Sequence, residues 1–154
     1  MALLRAVGMP CRLHGSAVSK HFQRGAVPAL FLKLAPESVM HTWAEVFYGE
    51  QWIALEGVIT DEAYVQGVKK RCPDRTRDFK AYAISVPDLD ALDLDWKGEA
   101  LFVQNTSVAE DYGVFDSPDA FFKEHKQSWG RLKDFAYRHF GRRIMNRRLA
   151  GIRR

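Results

Sequence analysis

His41, Trp43 and Glu56 fall within the sixteen residues HTWAEVFYGEQWIALE, a histidine at the start and a carboxylate at the end. A carboxylate that accepts a hydrogen bond from one imidazole nitrogen fixes the ring's tautomer and makes the other nitrogen more basic, which is the chemistry of a general base and its orienter. That chemistry requires the two side chains to share one face of neighbouring strands. Gly49-Glu50, between two runs rich in β-formers, carries the Gly-first pattern of a two-residue type II′ turn, which pairs Tyr48 with Gln51 and Trp43 with Glu56. Alternation then sets His41, Trp43 and Glu56 on one face, with His41 diagonal to Glu56 at roughly 7–8 Å between backbone positions. The same spacing also suits a plain surface contact, and one residue more or less in the loop would turn Glu56 to the other face. On spacing alone both readings stand.

The elements around this hairpin divide the chain into a β-rich body, residues 1–116, and a helical end, residues 117–154, giving an α+β fold. Leu3 to Val7 reads as the end of a helix, with Gly8 suited to the left-handed cap and Pro10 barring continuation. Arg12 to Val18 reads as a strand, Ala29 to Leu34 as a second apolar run, and Ala100 to Gln104 as a further strand. Thr60 or Asp61 caps a short helix through Ala63, Tyr64 and Val68, and Cys72 follows in a loop with basic neighbours. Asp88, Asp90, Asp93 and Asp95 lie in a connecting segment that lacks the glycine and closing glutamate of a calcium loop. Ser117 is an N-cap with Pro118 at the first helical position, and Phe121, Phe122 and Trp129 form an apolar face. Gly130 and Gly141 break this end into two or three helices.

With 154 residues, 47% of them hydrophobic, the chain is long enough to bury a core. Two cysteines, Cys11 and Cys72, are too few for a disulfide framework; no leader or membrane-length apolar run is visible, so a reducing, cytoplasmic setting is expected. The net charge of +4 hides an asymmetry: residues 131–154 hold nine Lys and Arg against Asp134 alone. Phe135, Ile144, Met145, Leu149 and Ile152 stripe this basic end, with Arg138, Arg142, Arg143, Arg147 and Arg148 on its other faces. Packing of this helix on the domain is preferred to contact with anionic membrane or nucleic acid. Cys11, His14, His21 and His41 lack the spacing of a zinc site, and neither a metal nor a cofactor is expected.

Three blocks taken together resemble the transglutaminase-like superfamily, the papain-related group of domains. They are Leu3-Leu4-Arg5-Ala6-Val7-Gly8-Met9-Pro10-Cys11-Arg12, then His41-Thr42-Trp43-Ala44-Glu45, then Trp52-Ile53-Ala54-Leu55-Glu56. The resemblance covers about residues 3–57. It implies a papain-like core, His41 as catalytic base and Glu56 in the place of the orienting aspartate, with Asp61 as a fallback and Trp43 lining the cleft. It also implies thiol attack on a protein or peptide amide, followed by hydrolysis or acyl transfer.

Two departures qualify it. Glu56 is one methylene longer than the family's aspartate. The family's nucleophilic cysteine stands at the start of the helix that ends in Leu-Leu-Arg-Ala, and Met1 lies inside that helix, so the nucleophile is expected upstream and this chain is read as truncated and inactive. Cys11, after the helix C-terminus, is a secondary candidate whose position disfavours the thiolate. The alternative is a binding module without catalysis, using the cleft or the basic tail. Without the first turns of that helix, apolar surface near Leu3, Leu4 and Val7 is expected to be uncovered, which favours self-association.

Overall fold

The computed structural model describes residues 1–57, 60–126, 130, 139 and 141–154. The segment that reads as a helix end is a short helix, α1 (Ala2–Ala6), capped by Val7, and Gly8 takes the left-handed conformation at φ 77° beyond it. Pro10 then releases the chain into β1 (Cys11–Ser19). A short 3-10 turn (Lys20–Gln23) and helix α2 (Ala29–Leu34) lead to β2 (Ser38–Tyr48) and β3 (Gln51–Leu55). After α3 (Glu62–Arg71) come a hairpin, β4 (Arg77–Ala81) with β5 (Ile84–Asp88), and β6 (Val108–Phe115). Helices α4 (Pro118–Glu124) and α5 (Arg142–Ile152) follow. The fold is α+β: a four-stranded antiparallel sheet ordered β3-β2-β1-β6, with β4-β5 as a separate pair.

Register assigns the faces. Cys11 is opposite Val46 and Val46 opposite Ile53, so these three share the back face, where they pack together with Leu4 and Met9. Arg12 is opposite Glu45, His14 opposite Trp43 and Ser16 opposite His41, which defines the front. Helix α1 therefore sits behind the sheet. The Arg5 guanidinium donates to the carbonyls of Cys11 and Asp116, pinning α1 to the start of β1 and the end of β6. Leu4 is packed, whereas Leu3 is 85% and Val7 73% exposed.

Farther along the back face Gly15 leaves room for Phe121 of α4; that ring is fully buried, worth about 1.5–3 kcal/mol relative to exposure. Ser117 caps α4 by accepting from the Ala120 amide, as its sequence indicates, and Pro118 occupies the first turn. A second core joins Val65 and Val68 of α3 to Phe79, Ile84, Val86, Leu89, Val103 and Ile152. Asp61 caps α3 through the Tyr64 amide, and Arg71 reaches from α3 to the Gly151 and Ile152 carbonyls of α5. Leu149 and Ile152 of the tail stripe face this core.

Several expectations need correction. Gly49 and Glu50 both take positive φ, 55° and 64°, so the hairpin turn is type I′ rather than II′. Both types hold two residues, so the register is unchanged. Ala100 to Gln104 is not a strand: only Leu101 bridges to Leu55. Cys72 is not in an open loop but caps the C-terminus of α3, half-buried. Phe122 and Ile144 are exposed rather than part of an apolar face. Strands β4, β5 and β6 were not anticipated. Trp129, Asp134, Phe135 and Arg138 lie outside the described residues.

Candidate functional site

The Gly49-Glu50 turn fixes the position of the histidine and the carboxylate. Tyr48 pairs with Gln51 and Ala44 with Leu55, and Glu56 is the next residue of the chain. Its side chain turns to the front face, where its Oε1 lies 2.6 Å from His41 Nε2. The pair is sheltered, the His41 side chain 14% and the Glu56 side chain 1% exposed.

A buried carboxylate is costly unless its oxygens are matched by donors. Glu56 is matched fully. Its Oε2 accepts the Val103 amide at 2.6 Å and the Gln104 amide at 2.8 Å, while Oε1 takes His41. The segment that supplies these amides is held in turn by two backbone bonds to the edge of β3, Leu101 N–H to Ala54 and Glu56 N–H to Leu101, each 2.9 Å. With Glu56 accepting from Nε2, the ring's lone pair is at Nδ1, so Nδ1 is the position able to take a proton. Ser16 Oγ donates to the His41 carbonyl across the strand pair and holds the backbone beneath the ring.

A second histidine shares the face. His14 stacks on Trp43, ring centroids 4.3 Å apart, and Trp43 stands 5.9 Å from His41, with Phe102 edge-on to it. His14 turns Nδ1 to Glu45 at 2.8 Å and Nε2 to Asp111 at 2.7 Å. The Gly113 amide first, and His14 second, hold the Asp111 carboxyl below the usual range. Arg12 bonds the other oxygen of Glu45 at 2.5 Å and lies over the Trp52 ring. Trp43 is thus wedged between two histidines, and its buried indole N–H has no acceptor among the described residues.

Of the residues singled out by sequence, His41, Glu56 and Trp43 come together. Asp61 does not join them: Oδ1 caps α3 and Oδ2 is bonded to Arg153 at 2.7 Å, and Arg153, together with the Tyr64 amide, holds its carboxyl below the ordinary value of 3.8. Cys11 is opposite Val46, five positions along β2 from His41 and on the other face, about 16 Å away along the strand. Its Sγ donates to the Met1 carbonyl inside the back-face cluster. Cys72 lines a different cavity, between β4 and the segment at Arg24. Neither thiol adjoins the dyad. No group of three His, Cys, Asp or Glu among the described residues is arranged to hold a metal ion, and no described helix is long and apolar enough to cross a membrane.

Sequence reasoning missed the Val103 and Gln104 amides, because every residue but proline carries an N–H and no side-chain pattern marks the ones that clamp. It weighed His14 only as a zinc ligand and gave Glu45 no role, although the alternation of Arg12, His14 and Ser16 along β1 contains the signal. Residues 1–57 match the model of the transglutaminase-like superfamily, a segment that includes β1, β2, β3 and both members of the dyad. No curated protein and no solved structure matches the chain.

Proposed function

We propose, from the transglutaminase-like match of residues 1–57, that His41 and Glu56 are the base and orienter of a thiol-dependent acyl-transfer site acting on protein or peptide amides. The carrying observation is the 2.6 Å bond from His41 Nε2 to a carboxylate that two backbone amides already hold. His41 Nδ1 takes the proton of a thiol; the thiolate attacks the amide carbonyl, and the imidazolium returns the proton to the departing amine. Water or a second amine then releases the acyl group. Glu56 stabilises the imidazolium throughout. Residues 1–116 make up the papain-like core of this reading, and 117–154 an extension packed on it.

The positions of Cys11 and Cys72 support a further element of the reading: the 154-residue chain by itself does not turn over amides. Assay of the purified chain with a glutamine-containing peptide and a labelled amine tests this. No turnover is expected; turnover abolished by Cys11→Ala or Cys72→Ala would mean that the nucleophile is misassigned.

The same distance between thiols and dyad favours a second reading, a binding module in which the dyad has only a structural role. Histidine tautomers separate the two. A catalytic pair keeps the His41 proton on Nε2 and leaves Nδ1 exchangeable, whereas an Nδ1 proton protected in the wild-type chain favours the binding module.

A further inference from the structure

Away from the dyad, a cavity of about 640 Å³ opens between β4, the loop that follows α3, and the backbone at Arg24 and Gly25. Its volume falls within the range of small-ligand sites. Four cations line it, Arg24, Arg75, Arg77 and Lys80, against two carboxylates, Asp74 and Asp78. Lys80 is paired with Asp78 at 2.9 Å, and Arg77 reaches Asp88 at 3.4 Å. The Arg24 guanidinium lies 3.4 Å from the His21 ring, and neither Arg24 nor Arg75 has a carboxylate partner among the described residues. A fifth cation arrives from the basic tail: Arg148 donates to the Gly25 carbonyl at 2.6 Å, on the cavity's rim.

The wall of this cavity is built as well as charged. Among the described residues four that are not glycine take positive φ; Asp78 and Tyr82 are two of them and line the cavity, and Ala83 follows directly. Left-handed backbone at such residues persists only where the surroundings impose it, and it concentrates at ligand sites. Here all four main-chain polar groups of Tyr82 and Ala83, the turn between β4 and β5, are bonded to the surroundings. The Tyr82 amide donates to the Arg24 carbonyl at 2.6 Å and the Ala83 amide to the Phe22 carbonyl at 3.0 Å. The Tyr82 carbonyl accepts from the Tyr64 hydroxyl and the Ala83 carbonyl from the Gln104 side chain. Gly25 lets the Tyr82 ring lie against the backbone, since a Cβ there would come within 2.7 Å of it. The bond from Tyr82 to Arg24 therefore ties the main chain of one cationic residue to the wall of the cavity that Arg75 also lines.

We propose that this cavity binds a small, multiply charged oxyanion, phosphate or carboxylate, between the guanidinium groups of Arg24 and Arg75. Planar guanidinium forks bond such oxyanions in pairs, and these two have no carboxylate partner among the described residues, with the main chain of one tied to the cavity wall. Binding is independent of the His41–Glu56 reaction and would survive its refutation.

Pyrophosphate and citrate, titrated separately into the purified chain at low ionic strength and followed by backbone amide NMR, test the site. Saturable shifts are expected at Arg24, Gly25 and Cys72 through Lys80, with the dissociation constant raised about tenfold by Arg75→Ala and by Arg24→Ala. Arg147→Ala, elsewhere on the basic helix, leaves it unchanged. Binding of pyrophosphate alone identifies a phosphate ester as the ligand class, of citrate alone a polycarboxylate, and of both a general oxyanion site. Melting curves of the free variants guard against misfolding, and the wild-type shift map locates the site without any variant. Failure of both anions to saturate, shifts centred elsewhere, or an equal loss with Arg147→Ala would overturn the proposal.

Discussion

The α-carbon of Gly67 lies against the carbonyl oxygen of Ile152, so closely that a Cβ added there would fall 1.8 Å from it. This contact is the point at which α5 docks on α3. Gly67→Ala places two effects in opposition. Alanine favours an isolated helix by about 1 kcal/mol over glycine, whereas a backbone atom in the way must move, at a typical cost of about 1–3 kcal/mol. The clash wins because its partner is main chain. A net loss of up to about 2 kcal/mol, a fall of several degrees in melting temperature, and faster amide exchange in 142–152 are expected. A more stable variant would place α5 elsewhere.

Glu56→Gln tests the dyad. The amide side chain can turn its oxygen either to His41 or to the Val103 and Gln104 amides, and while His41 keeps its Nε2 proton the NH2 group in each case faces another N–H. Loss of about 2 kcal/mol and roughly 6 °C is expected. Nitrogen chemical shifts of His41 should move from the Nε2–H tautomer toward a mixture. An unchanged tautomer would show that Glu56 does not orient the ring.

Gly15 and Phe121 form a testable pair. A Cβ on Gly15 would come 2.4 Å from the Phe121 ring. Gly15→Ala should destabilise by about 1–3 kcal/mol, and Phe121→Leu by a comparable amount through the lost ring. Combined, they should cost less than their sum, with a coupling of about 1 kcal/mol in chemical denaturation. Strict additivity would mean that α4 does not cover Gly15.

Acid should weaken the fold through specific carboxylates. The hydrogen bond from Lys20 chiefly lowers Glu37 from its ordinary 4.5, and that from Arg153 chiefly lowers Asp61 from 3.8. Each binds its proton less readily folded than unfolded. Their contributions are therefore complete above about pH 5 and are lost as pH falls through the lowered folded values. Urea midpoints measured downward from pH 6 should hold until near pH 4 and then drop, and Asp61→Asn should flatten the drop. A midpoint that rises on acidification would reverse the sign assigned to these pairs.

How far the chain discloses its own fold differs from segment to segment. The register of β2 and β3 was legible because a two-residue loop leaves no freedom in the pairing, and the cap at Ser117 because its side chain performs the bond. The turn type was not, since a leading glycine suits II′ and only the left-handed Glu50 makes it I′. The hairpin of β4 and β5 was hidden for a related reason: Tyr82-Ala83 has no turn signature, and its conformation is imposed by bonds from Arg24, Phe22, Tyr64 and Gln104. At the site, His41 and Glu56 could be paired from spacing. The run at Ala100 to Gln104 looked like a strand because most of its residues are apolar, but apart from the bridge at Leu101 it forms no ladder: the Val103 and Gln104 amides turn to the Glu56 side chain.

The position of that segment has another effect. Strand β3 ends the sheet, and an unpaired strand at the end of a sheet invites strands from other molecules. Leu101 occupies the hydrogen-bonding groups of Ala54 and Glu56 on that margin. The stretch that clamps Glu56 thus also guards the sheet against aggregation. Any change that frees it, such as proteolysis or a proline near Leu101, should convert a local loss of order at the dyad into a chain that sticks to its copies.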